Sequence, residues 1–228
     1  MRARTSILAL AAGVVVVVGA NAAIAAVRAS SFAHFWAGLA HQPAPADAVR
    51  IVALGDSATV AVGASDPLNG FVGRIAQLVK DETGRPVHIA NLAVGGATAG
   101  QVLRNQVPVA DLANADVVIY CSSNDLERRI PLTRYRSNLD AIADAVPAAK
   151  TVFSDFPLEP GRKRYQAVLA EIADARGIAR ADFAAVFNGE GRRLDIFSAL
   201  PPHLNDLGYQ FWFEAFRPPV AAIVGKLG

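Results

Sequence analysis

The chain has 228 residues, 53% of them hydrophobic, a formal net charge of +2 and one cysteine. That length suits one sizeable domain with an appendage. Near-balanced charge, with no Lys/Arg cluster interleaved with aromatics, excludes a nucleic-acid surface; the lone Cys121, set in an apolar run, excludes an internal disulfide and fits no metal-ligand spacing. At the N-terminus, Arg2 and Arg4 precede an apolar run from Ile7 to Val27 interrupted only by Asn21. As a helix rising about 1.5 Å per residue, such a run covers the roughly 30 Å of a bilayer core. Two readings stay open. An uncleaved signal anchor uses the whole run, with Phe32, Phe35 and Trp36 as an interfacial aromatic belt. A cleaved signal peptide uses a shorter core and a small-x-small site at Ala20-Asn21-Ala22 or Ala23-Ile24-Ala25. In both, the basic end stays cytoplasmic and the remainder faces outward, as a single-pass membrane protein or a secreted one.

Residues 1–28 are therefore expected to be signal anchor or signal peptide, residues 29–49 a membrane-proximal tether containing Pro43 and Pro45, and residues 50–228 the folded domain. Short apolar runs predict strands at Arg50–Leu54, Val87–Leu92, Asp116–Cys121, Lys150–Ser154 and Ile178–Phe183. Between them, helical periodicity groups Phe71, Val72, Ile75 and Val79, then Tyr135, Leu139, Ile142 and Val146, then Tyr165, Val168, Leu169 and Ile172 up to Gly177. Thr98–Asn105 gives a weaker helical pattern. A last helix, capped by Asn205 or Asp206, sets Tyr209, Trp212, Phe213 and Phe216 on one core-facing side, and Pro218-Pro219 is expected to end it. Alternating strands and helices imply an α/β fold with a doubly wound, five-stranded parallel sheet and right-handed crossovers, preceded by the hydrophobic N-terminal helix.

In such a sheet the turns after the first three strands share one edge. The first is Gly55-Asp56-Ser57, the second lies in Asn91-Leu92-Ala93-Val94-Gly95-Gly96, and the third is Ser122-Ser123-Asn124-Asp125. Alone, Ser57 would read as a helix cap. Beside a side-chain-free backbone N–H at Gly96 and an amide at Asn124, it has the makings of a nucleophile with oxyanion donors. A base is needed, and of four histidines His34 and His41 lie in the N-terminal segment and His88 inside a strand. His203, in the loop before the last helix, is placed to reach the edge.

Four blocks in this order resemble the SGNH hydrolases, also called GDSL esterases/lipases, across most of residues 50–216. Gly55-Asp56-Ser57 is similar to the nucleophile block, Asn91 to Gly96 to the block whose glycine donates an N–H, Asn124-Asp125 to the oxyanion asparagine block, and His203 to Tyr209 to the base block. The resemblance implies a three-layer flavodoxin-like fold and a serine esterase or lipase. Ser57 and His203 would be catalytic, with Ser57, Gly96 and Asn124 forming the oxyanion hole. It implies no metal or organic cofactor. The expected substrate is a small-molecule, lipid or glycan ester; alternatives are O-acyl transfer or deacetylation of cell-envelope glycans or lipids, and a non-catalytic acyl- or glycan-binding relative. Two departures stand out. Ser122 replaces the usual glycine of the third block, and Leu200 stands where the family places the aspartate that orients the histidine. Three outcomes stay open: a backbone carbonyl orients His203, Asp195 or Asp206 replaces the missing acid, or the site is degenerate.

Overall fold

A computed structural model describes residues 23–24, 27–156, 161–189, 194–200 and 203–227. Arg2, Arg4, most of the apolar run from Ile7, and Pro201-Pro202 lie outside them. Five parallel strands form one sheet in the order β2-β1-β3-β4-β5. They are β1 (Val49–Gly55), β2 (Val87–Asn91), β3 (Val117–Cys121), β4 (Thr151–Ser154) and β5 (Ala179–Ala181). The two central strands, β1 and β3, are the most continuously apolar and are buried on both faces, as strands covered by helices must be. Their register pairs Gly55 with Cys121 at the carboxyl end.

The first helix, α1, covers residues 27–40. In chain order there follow α2 (Ser57–Val60), α3 (Phe71–Thr83), α4 (Ala99–Asn105), α5 (Asn124–Glu127), α6 (Leu132–Ala145), α7 (Arg162–Arg176), α8 (Phe183–Gly189) and α9 (Asp206–Val224). Each amphipathic pattern in the sequence finds its helix, and α4 starts with a capping box between Thr98 and Gln101. Helices α3 and α8 pack on α9 to form one layer, whereas α4 and α7 flank α6 in the other. The aromatics of α9 are core. Phe71 stacks on Phe216 at 4.9 Å between ring centroids, Trp212 stacks on Phe183 at 4.6 Å, and the Trp212 indole donates to Ser154 Oγ at 2.7 Å.

Three expectations are corrected. Pro218 and Pro219 do not end the last helix, which continues to Val224. Each proline removes an N–H that would reach back four residues, but Val220, Ile223 and Val224 are buried against the core, and that burial carries the helix past the defect. Phe183 belongs to α8, so the fifth strand is shorter than its apolar run. Most informative, the tether is not a loose spacer throughout. Residues 27–40 are helical, and Trp36 is only 1% exposed, its indole donating to Val60 O at 3.0 Å. Trp36 is thus an anchor of α1 onto the domain rather than a member of an interfacial belt. Among the described residues no helix is long and apolar enough to cross a membrane.

Candidate active site

The sheet order places the reversal in winding between β1 and β3, where open α/β sheets bind ligands beyond the strand ends. Ser57 follows β1 there as the first residue of α2, half-buried, and Asn124 opens α5 just after β3. The approach of the two strand ends explains the glycine before them. A Cβ on Gly55 would sit 2.1 Å from Cys121 O, so only a residue without a side chain fits. Gln106 clamps the same glycine, accepting from Gly55 N and donating to Gly55 O, both at 2.8 Å.

Asp56 joins the two turns. Its Oδ1 accepts from Ala58 N at 3.0 Å, capping α2; its Oδ2 accepts from Ser123 N at 2.7 Å and from Asn124 Nδ2 at 2.8 Å. Burial raises its pKa above the ordinary aspartate value, opposed by the hydrogen bonds from Ser123 and Ala58 and by His203. Capping the adjacent turn is therefore one half of what Asp56 does. Its link to Ser123 and Asn124, 67 and 68 residues away, has no signal in the sequence.

From the second strand, Val94 N donates to Gly55 O at 3.1 Å and brings the glycine turn alongside. Gly96 adopts φ +76°, in the left-handed region that glycine enters without strain. Asn91 ties this turn to α2, its Nδ2 donating to Thr59 O at 2.8 Å. Asn124 Nδ2 also donates to Ala97 O at 3.2 Å, so both of its amide protons are engaged. Ser122, in place of the usual glycine, donates to the same Ala97 O at 2.8 Å. Its hydroxyl thus shares an acceptor with Asn124. Behind these groups Asp125 is 1% exposed, accepts from Ala99 N at 2.7 Å, and is raised by burial to a pKa of about 6.

His203 lies in the loop before α9, against Gly63, where a Cβ would come within 2.9 Å of the histidine Cβ. Its Nδ1 pairs with Leu200 O at 2.9 Å, and its backbone N donates to the same carbonyl at 3.0 Å. Of the open ways to orient the ring, the geometry is that of a main-chain carbonyl. Asp206 is occupied elsewhere, accepting from Ser65 N at 2.8 Å and Ser65 Oγ at 2.5 Å, while Asn205 caps α9 through Gly208 N. His34 and His41 pair with carbonyls one turn back in α1, and His88 lies in β2. Ser57, Gly96 and Asn124 thus lie in the turns at the carboxyl ends of β1, β2 and β3, and His203 is near enough to Asp56 to lower its pKa, while His34 and His41 are held in or next to α1 and His88 in β2. A groove beside the His203 loop is lined by Ile24, Arg28, Phe197 and Leu200, and Arg28 Nη1 donates to Ala64 O at 3.3 Å. Among the described residues no group of His, Cys, Asp and Glu is arranged to hold a metal ion.

The sequence profile of the GDSL-like Lipase/Acylhydrolase family matches residues 53–211. Among solved structures, a family 3 carbohydrate esterase from Clostridium thermocellum is similar with a TM-score of 0.65 at 19% identity, over 79% of this chain and 98% of that one. A lipase/acylhydrolase from Enterococcus faecalis gives 0.63 at 21%, over 78% and 96%. Axe2, an acetylxylan esterase from Geobacillus stearothermophilus, gives 0.60 at 18%, over 75% and 93%. These similarities are of fold. No curated protein sequence matches the chain.

Proposed function

This chain belongs to the GDSL-like lipase/acylhydrolase family and is a carboxylic ester hydrolase; on that premise we propose that it works by a Ser57–His203 dyad. Ser57 Oγ attacks the acyl carbon as His203 Nε2 takes the hydroxyl proton, then returns it to the departing alcohol. Water cleaves the acyl-serine by the same route. The oxyanion is held by the backbone N–H groups of Ser57 and Gly96 and by Asn124, the arrangement that contributes most to acyl transfer. For Asn124 to donate, it gives up its longer bond, to Ala97 O at 3.2 Å, and Ser122 keeps that carbonyl satisfied at 2.8 Å.

The observation that carries this reading is the bond between His203 Nδ1 and Leu200 O. A carbonyl can only accept, so it selects the tautomer with the proton on Nδ1 and leaves Nε2 free to act as base. A fluorophosphonate probe tests the assignment. Wild-type protein is expected to label at Ser57, Ser57→Ala to lose labelling and about 10⁴-fold or more in kcat, and His203→Ala to label far more slowly. Labelling that survives in Ser57→Ala rejects the dyad.

The carbohydrate and acetylxylan esterases among the fold relatives favour one substrate class, acetylated glycans, with hydrolysis or transfer of the acetyl group as the outcome. Following acetate release against transfer to a second sugar separates the two. We also propose that the apolar run Ile7–Val27 targets the domain outward as an anchor or a cleaved signal. N-terminal sequencing of the mature protein distinguishes them.

A further inference from the structure

We propose that Arg128 is a specificity-determining residue that receives an anionic oxygen group, a carboxylate or a phosphate, carried by the substrate close to its scissile ester; this rests on the hydrolase reading above. Arg128 follows α5, and a Cβ built on Gly96 would lie 3.0 Å from Arg128 Nη2, with nothing else within 4 Å. The guanidinium therefore leans over the glycine assigned to the oxyanion. The backbone beneath it is held in place. Arg128 N donates to Asn124 O at 2.9 Å, Ile130 N to Asp125 O at 2.8 Å, and Arg129 between them takes φ +52°.

Among the described residues no acid pairs with this cation, and the Arg128 side chain has no hydrogen bond or ion pair. The carboxylate next to it in sequence, Glu127, is taken by Arg162 at 3.0 Å, and Asp56 and Asp125 are turned to Ser123, Asn124 and Ala99. A planar fork of donors, exposed and uncommitted at the edge of an ester site, matches the paired oxygens of a carboxylate or phosphate.

Two esters of equal acyl length test this: 4-nitrophenyl hydrogen succinate, which is anionic, and 4-nitrophenyl butyrate, which is neutral. The ratio of their kcat/KM values is expected to fall about tenfold in Arg128→Ala, through KM for the succinate ester, and to recover in part in Arg128→Lys. Competition by monoethyl succinate against monoethyl phosphate tells which anion fits better. A ratio within twofold of wild type in Arg128→Ala overturns the proposal. Failure of the hydrolase reading looks different, as absence of Ser57-dependent turnover of both esters. Calorimetric titration of monoethyl succinate into Ser57→Ala, with and without Arg128→Ala, then decides. About tenfold weaker binding in the double variant supports the role, and equal binding rejects it.

Discussion

At the residue scale, the orienting group of His203 is where composition and geometry diverge most. The family pattern places a carboxylate three residues before the histidine, and the sequence has Leu200 there. The side chain is 5% exposed and packs inward, while its main-chain oxygen meets Nδ1 at 2.9 Å. A motif reads side chains, so a role played by a carbonyl is invisible to it. Replacing the serine protease acid by an amide costs roughly 10⁴-fold because the wrong tautomer results. A carbonyl avoids that penalty and lacks only the charge that would stabilise the imidazolium. Leu200→Asp is accordingly expected to bring no more than about a threefold gain in kcat/KM and to lower the melting temperature, since the new carboxylate would be buried without a partner. A gain above tenfold, measured on a neutral ester, would show that the ring accepts the acid and that the carbonyl is the poorer orienter.

At the scale of elements, the strands and the amphipathic helices were legible because burial imposes a period on the residues that face the core. Phe71, Val72, Ile75 and Val79 are all buried in α3, as Tyr135, Leu139 and Ile142 are in α6. What resisted reading was packing that depends on one residue or on distant partners. In α1 the residues Phe32, Phe35, Trp36 and Leu39 recur at helical spacing and pack on the core, but the same aromatics also suit a membrane interface, and what seats them, such as Val60 O for Trp36, lies 24 residues on. The helix through Pro218-Pro219 is similar, since local chemistry argues for a stop and the core contacts of the next turn override it. Among the candidate site residues, Ser57, Gly96 and Asn124 stood out as types in the turns after strands and His203 as the histidine of the loop before the last helix, while the bridging role of Asp56 needed coordinates. Trp36→Ala tests the docking of α1. It removes a buried ring and leaves Val60 O without its donor, so a loss of about 3–5 kcal/mol in unfolding free energy is expected. Denaturant unfolding measures it, and a loss below about 1 kcal/mol would mean that α1 is held by something else.

For the whole molecule, the sheet places two buried carboxylates, Asp56 and Asp125, and the half-buried Asp155 along the same carboxyl-end rim. Burial, with repulsion from Asp182, holds Asp155 at a pKa of about 7, and burial holds Asp125 at about 6. Both stand above the unfolded value near 4, so the folded protein keeps protons that the unfolded chain releases. The stability they contribute is complete below about pH 4 and is lost as pH rises, through about 6 for Asp125 and about 7 for Asp155. Asp155→Asn retains an oxygen for the N–H groups of Phe183 and Ala184, which Asp155 Oδ1 meets at 2.7 and 3.2 Å, without the ionisation. Its melting temperature is expected to exceed that of wild type by several degrees at pH 8 and by much less at pH 5. A gap that does not change with pH would place the stabilisation elsewhere.

The seat of α1 also gives the molecule a direction. Ile24 and Arg28 line a groove with Phe197 and Leu200, so the polypeptide enters the domain next to the loop bearing the imidazole rather than at the far pole of the sheet. A change at the start of α1 would therefore be felt first by the histidine loop, before it reached the sheet.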